Sequence, residues 1–280
     1  MNYSINTRGK IMLFDKPRIM GILNVNDDSF FVESRVKTEK ALLKKAEKMF
    51  SEGADILDIG AQSTRPGAEE ISLESEITNA VFAVNAVKSK FPEAIVSIDT
   101  YRSEVLKAAY DCGADICNDV SGGSLDENMF PTLSDLKIPY ILMHMKGNPQ
   151  TMKDLNKYED MILEMIEYFK GKIQRLTSLG IHDIIIDPGF GFAKNIDQNF
   201  YLLRQLRAFD LFERPLLVGI SRKSMIFKSL GIEADEALNG TTALNMLALA
   251  QGANLLRVHD VKEANETIKL YLKYNSDSIY

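Results

Sequence analysis

Eight short apolar runs rich in β-branched residues alternate with longer amphipathic stretches, and this pattern constrains the fold more than any other feature. The runs are 19–25 (IMGILNV), 56–60 (ILDIG), 95–99 (IVSID), 116–120 (ICNDV), 139–144 (PYILMH), 183–187 (DIIID), 216–220 (LLVGI) and 254–258 (NLLRV). Most are continuously hydrophobic, as expected of parallel strands covered on both faces. Between them, 38–51, 158–179 and 239–251 carry apolar residues at helical spacing. The glycines of EGAD, CGAD, LGIHD and QGAN stop helices just before a strand. Eight such units in 280 residues predict an α/β fold, a single (β/α)8 TIM barrel over 1–280. Residues 1–18 form a leader or hairpin at the barrel floor. An open doubly wound sheet is the structural alternative.

Composition narrows the class. Hydrophobic side chains make up 45% and charged ones 26%, ordinary for a globular protein. A net charge of −6 argues against a nucleic-acid or anionic-membrane surface. No signal-peptide core opens the chain and no apolar run is long enough to span a bilayer, so a cytoplasmic protein is expected. Cys112 and Cys117 read as free thiols in a reducing compartment. Three histidines and two cysteines show no zinc spacing.

In a parallel barrel, chemistry collects at the C-terminal ends of the strands. Those ends carry Asn24, Asp58, Asp99, Asn118 with Asp119, His144, Asp187, Lys223, and Arg257 with His259. Helix caps account for part of such a list. Asp58, Asp119 and His144 read most simply as structural, and a helix cap near Arg102 is the competing role for Asp99. Glycine-containing loops follow several ends: GAQSTRPG (60–67), VSGG (120–123), DPGFGF (187–192) and GISRKS (219–224). Glycine lets backbone approach a ligand closely, so a small-molecule site is expected there.

ILNVNDDSF (22–30), GAQSTRPGA (60–68), SIDTYRSEV (97–105), ICNDVSGG (116–123), ILMHMKGNPQTM (141–152), IIIDPGFGFAKN (184–195), LLVGISRKSMI (216–226) and LLRVHDVKEA (255–264) together resemble dihydropteroate synthase. The resemblance runs in order over about 19–270. It implies a transferase of folate biosynthesis, a sulfonamide target, that joins a pterin methyl diphosphate to p-aminobenzoate, with Mg²⁺ as cofactor and a homodimer as the assembly.

The resemblance also implies roles for single residues. Asp187 anchors the pterin edge, with Asp99 and Asn118 completing the ring contacts, Lys223 donating to its acceptors, and Met143 and Phe192 forming apolar walls. A carboxylate can accept two parallel N–H bonds, which suits an amine-bearing edge. Arg257 and His259 hold the diphosphate, with Thr64 beside it, and Asn24 orients Mg²⁺ or the anion. Phe30, Thr64, Arg65, Pro66, Phe192, Lys223 and Ser224 surround p-aminobenzoate. Asp99, Asp187, Lys223 and Arg257 form the catalytic set. One departure stands out: Asn26-Asp27 replaces the Thr-Pro of the family's first loop, and Phe31-Val32-Glu33-Ser34 replaces its acidic Gly-Gly turn. A pterin-dependent methyltransferase barrel and a pterin-binding paralogue without turnover are the rival readings; STRPG and SRKS argue against the former.

Overall fold

The structure, a computed structural model, describes residues 3–25, 32–61, 71–148, 151–152 and 155–276. It opens with an antiparallel hairpin of β1 (Tyr3–Thr7) and β2 (Lys10–Phe14). Arg8 and Gly9 form its two-residue turn, both at positive φ (52° and 87°). That turn matches the natural twist of the flanking strands.

Eight parallel strands follow: β3 (Arg18–Asn24), β4 (Ile56–Gly60), β5 (Ile95–Asp99), β6 (Ile116–Asp119), β7 (Tyr140–Met143), β8 (Ile184–Asp187), β9 (Leu217–Val218) and β10 (Leu255–Val258). They pair in the order β8-β7-β6-β5-β4-β3-β10-β9. A parallel bridge between Ile186 and Leu216 joins the two ends of that order, with Ile186 N–H donating to Pro215 C=O at 2.9 Å. The sheet therefore closes, which excludes the open doubly wound alternative. α1 (Val32–Glu52), α2 (Leu73–Lys90), α3 (Ser103–Asp111), α4 (Met129–Leu136), α5 (Met161–Ser178), α6 (Ile196–Arg204), α7 (Ser224–Leu230), α8 (Leu238–Ala250) and α9 (Val261–Tyr274) lie between and after the strands.

Side chains alternate across each strand. Leu57, Ile59, Val96, Ile98, Cys117, Leu142 and Ile186 point outward into the core shared with the helices. Met20, Ile56, Ile116, Ile141, Ile185, Leu217 and Leu255 point inward and form an apolar floor. Ile5, Met12 and Phe14 of the hairpin pack against that floor. Each is buried, worth about 1.5–3 kcal/mol of apolar transfer. The hairpin thereby covers the N-terminal end of the barrel interior.

Candidate active site

Two residues beyond the apolar floor, the inward positions turn polar. Ile56 leads to Asp58, Ile95 to Ser97 and then Asp99, Ile116 to Asn118, Ile185 to Asp187, and Leu255 to Arg257. The period of two that builds a strand thus delivers five ionisable or amide groups to the C-terminal half of one barrel.

Arg257 is the hub. Its Nε donates to Asp58 Oδ2 at 2.7 Å, and Nη2 reaches Asp58 Oδ2 and Asp99 Oδ2, both at 2.6 Å. Asn118 Nδ2 donates to the same Asp58 oxygen at 3.0 Å. Burial opposes the guanidinium charge, but Asp58 and Asp99 more than offset it and raise its pKa. Burial pushes the Asp99 carboxyl up to about 7 against the pull of Arg257, with Asp58 and Asp119 adding repulsion. Asp58 Oδ1 and Asp99 Oδ1 are enclosed and take no hydrogen bond from the described residues.

Across the barrel, the loop after β8 shapes a second group. Asp187 Oδ1 accepts from Gly189 N–H at 2.8 Å. Gly189 has φ of +71°, and a Cβ there would stand 2.1 Å from the His144 carbonyl oxygen, so only glycine fits. Burial raises the Asp187 carboxyl, countered first by the Lys223 charge. Lys223 donates to the Phe190 carbonyl and lies 4.8 Å above the Phe192 ring. Burial lowers its ammonium to about 8, with Asp187 pulling the other way. Met143, Val120, Met145, Met152 and Ala193 make an apolar wall against which Phe192 and Tyr101 pack.

Lys194, not singled out from the sequence, holds this loop together. Its Nζ donates to the carbonyls of Gly189 and Phe192, each at 3.0 Å, and lies 3.1 Å from His144 Nδ1. Burial brings the ammonium down to about 7. His144 packs among Tyr158, Tyr168 and Phe169, and burial followed by the Lys194 charge lowers it to about 2. It is a neutral acceptor, in line with the structural role expected of it.

The loops after β9 and β10 are strapped together. Arg222, at φ +54°, donates from Nε and Nη2 to both oxygens of Asp260 at 2.8 Å. Ser221 Oγ lies 3.0 Å from His259 Nδ1 and accepts from His259 N–H at 3.2 Å. These contacts bring Lys223, Ser224 at the start of α7, and His259 to one side of the mouth. Asn24 ends β3 with its side chain exposed. Phe30, Thr64, Arg65 and Pro66, together with the altered positions Asn26 and Asp27, fall outside the described residues.

Two structural alternatives raised by the sequence change. Asp58 does not serve as a helix cap: it is fully buried and holds both Arg257 and Asn118. Asp99 does not cap the helix near Arg102, whose N–H bonds Thr100 Oγ1 while Ser103 N–H bonds Asp126. Arg257 directs Nε and Nη2 at Asp58 and Asp99, and Nη1 bonds none of the described residues. Asp119 keeps its structural role, accepting from Ser121 N–H, Gly123 N–H and Tyr140 O–H on the outer face of β6.

The family of pterin binding enzymes matches residues 20–259. The dihydropteroate synthase of Escherichia coli K12 is 40% identical over 265 residues, spanning 94% of this chain and 93% of that protein. Among solved structures, the Yersinia pestis dihydropteroate synthase with a sulfonamide drug complex superposes with a TM-score of 0.91 at 34% identity, covering 99% of this chain and 100% of that one. The Xanthomonas albilineans dihydropteroate synthase with 4-aminobenzoic acid gives 0.90 at 33% identity, covering 99% and 100%. With a closed barrel, a polar C-terminal mouth and likeness over nearly the whole length, the chain belongs to the dihydropteroate synthase family of pterin-binding enzymes.

Proposed function

We propose that the chain condenses 6-hydroxymethyl-7,8-dihydropterin diphosphate with p-aminobenzoate, giving 7,8-dihydropteroate and diphosphate. The observation that carries this reading is the gathering of acceptors on Asp99, Asn118 and Asp187 beside the Lys223 ammonium at one barrel end. A pterin edge offers N–H donors next to acceptor nitrogens and a carbonyl, which such a set complements. Asp187 and Asp99 take the donor edge, Asn118 a further ring N–H, and Lys223 the ring acceptors. Met143 and Phe192 cover the ring faces.

In the reaction the C–O bond from the pterin methylene to diphosphate breaks. The C–N bond to the arylamine forms, and that nitrogen loses a proton. A neutral arylamine is nucleophilic at pH 7, so the demanding task is stabilising positive charge on the methylene carbon while diphosphate departs. Buried carboxylates beside the ring favour that charge more in the transition state than in the neutral ground state. Diphosphate therefore leaves before the amine has bonded appreciably.

Arg257 Nη1 and His259, with Thr64, meet the anion. Phe30, Thr64, Arg65, Pro66, Phe192, Lys223 and Ser224 enclose p-aminobenzoate, its carboxylate near Ser224. Asn24 offers one amide oxygen, and among the described residues no group of three or more His, Cys, Asp or Glu side chains could cage a metal ion. That donor set fits Mg²⁺, which keeps waters and takes substrate phosphates with one or two protein oxygens. When bound, Mg²⁺ would neutralise charge on the departing diphosphate.

The protein works as a cytoplasmic homodimer on this reading, by analogy with the family. No described helix is long and apolar enough to cross a membrane. The test is turnover: purified chain with the pterin diphosphate, p-aminobenzoate and Mg²⁺ releases dihydropteroate and diphosphate in equal amounts. Pterin binding without either product would leave a binding protein and refute the reading.

A further inference from the structure

Asp58 sits two residues above the barrel floor, fully buried, and one of its oxygens gathers three N–H contacts. Arg257 Nε reaches Oδ2 at 2.7 Å, Arg257 Nη2 at 2.6 Å and Asn118 Nδ2 at 3.0 Å. The Asn118 contact crosses the barrel interior from β6 to β4, past Ser97 of the intervening strand, whose register partner is Asp58. An ionised carboxylate can only accept. Turning the Asn118 amide over would set its Oδ1 against Asp58 Oδ2, two acceptors at hydrogen-bond distance. Asp58 therefore decides the orientation of that amide. With Nδ2 engaged, Oδ1 is the atom left for a ligand. It takes no hydrogen bond from the described residues and, unlike Asp58 Oδ1, is not sealed off.

We propose that Asp58 is a positioning residue that locks the Asn118 amide with its carbonyl toward the ligand, restricting that point of the pocket to a heterocycle ring N–H. The inference rests on the pterin reading above and adds a source of selectivity to it. Rejecting a ring that presents a lone pair there follows because two facing acceptors cannot relax by rotating the amide. Asp58 touches no reacting atom. It acts through Asn118 and, in the same way, fixes the direction of the Arg257 fork.

A double-mutant cycle on the full chain tests this, with 6-hydroxymethyl-7,8-dihydropterin binding read by calorimetry. Asp58→Asn keeps the volume and removes the fixed acceptor; Asn118→Ala removes the amide. Each single change is expected to weaken binding about tenfold. If Asp58 acts through Asn118, the double variant binds about as weakly as the weaker single variant, because coupled residues are non-additive. The KM for p-aminobenzoate stays within about twofold in Asp58→Asn, which a general loss of structure would not allow. Two losses that multiply to about a hundredfold, or an Asp58→Asn protein that binds like the wild type, overturn the inference while leaving pterin binding intact. A wild-type chain that binds no 6-hydroxymethyl-7,8-dihydropterin overturns the pterin reading and this inference together. If Asp58→Asn does not fold, NMR of the wild type decides. The Asn118 side-chain amide protons, identified by their loss in Asn118→Ala, are expected to exchange slowly before and after pterin binding. Fast exchange in the free protein contradicts the lock.

Discussion

Replacing Arg257 with methionine removes the only cation that contacts both Asp58 and Asp99 among the described ion pairs. The guanidinium side chain is 20% exposed and the two carboxylates 0% and 5%, so water cannot take its place. Breaking a buried pair by deleting one partner costs roughly 3–5 kcal/mol. For a chain of this size each kcal/mol lowers the melting temperature by about 2–4 °C. The variant should therefore melt roughly 10 °C or more below the wild type at pH 8. Two facing carboxylates without a cation can be relieved only by a proton, so the Asp99 carboxyl shifts further upward from about 7. Groups shifted upward in this way contribute stability that is lost as pH rises. The deficit of Arg257→Met must then shrink on acidification, by about 1.4 kcal/mol per pH unit for each extra proton the folded variant holds. Between pH 8 and pH 6 the gap to wild type should narrow by about 1.4 kcal/mol, because wild-type Asp99 takes up its own proton near pH 7 over the same range. Thermal melts of both proteins at the two pH values measure this. A loss below about 1 kcal/mol at pH 8, or a loss equal at both, refutes the hub.

Other outcomes follow from the same geometry. Asp187→Asn presents a donor where the pterin edge needs an acceptor; losing a charge-assisted bond of roughly 1.5–3 kcal/mol should cut pterin affinity more than about tenfold in calorimetry, with little change in melting. The pH profile of kcat/KM for the pterin diphosphate should be a narrow bell. It rises through about 7 as Asp99 ionises and falls above about 8 as Lys223 loses its proton, and a flat profile from pH 6 to 9 contradicts those assignments. Lys194→Met leaves two carbonyls and His144 Nδ1 without their donor, so KM for the pterin diphosphate should rise several-fold and melting should drop; an unchanged KM removes Lys194 from the support of the pocket. A labelled bridging oxygen in the pterin diphosphate should scramble into non-bridging positions with Mg²⁺ and no arylamine present, and its failure to do so favours direct displacement.

The barrel was legible because its strands are covered on both faces and print as continuous apolar runs; β4 and β5 begin and end where those runs do. Runs 116–120 and 139–144 overreach by a residue or two. The Asp119 carboxylate draws Ser121 and Gly123 into a turn, and Tyr140 rather than Pro139 begins the observed strand. The last two strand candidates shorten to Leu217–Val218 and Leu255–Val258. The mouth of the barrel was legible through the polar residues closing each run. What the pattern hides is pairing. Arg257 and Asp58 meet across 199 positions, and nothing local to ILDIG distinguishes a buried counter-charge from a cap. Counting inward positions from the apolar floor would have marked Asp58, since it shares the face of Ile56. Lys194 carries no such signal, because its three acceptors are two backbone carbonyls and a histidine nitrogen from another strand end.

The central claim is that the polar ring above the barrel floor is the pterin pocket. A crystal structure of the chain soaked with 6-hydroxymethyl-7,8-dihydropterin diphosphate tests it most directly. The heterocycle should lie with its amine-bearing edge against Asp187 and Asp99, the Asn118 carbonyl on a ring N–H, Lys223 on the ring acceptors, and the diphosphate toward Arg257 and His259. A ring bound elsewhere, or bound here with its lone-pair edge facing the carboxylates, contradicts the account.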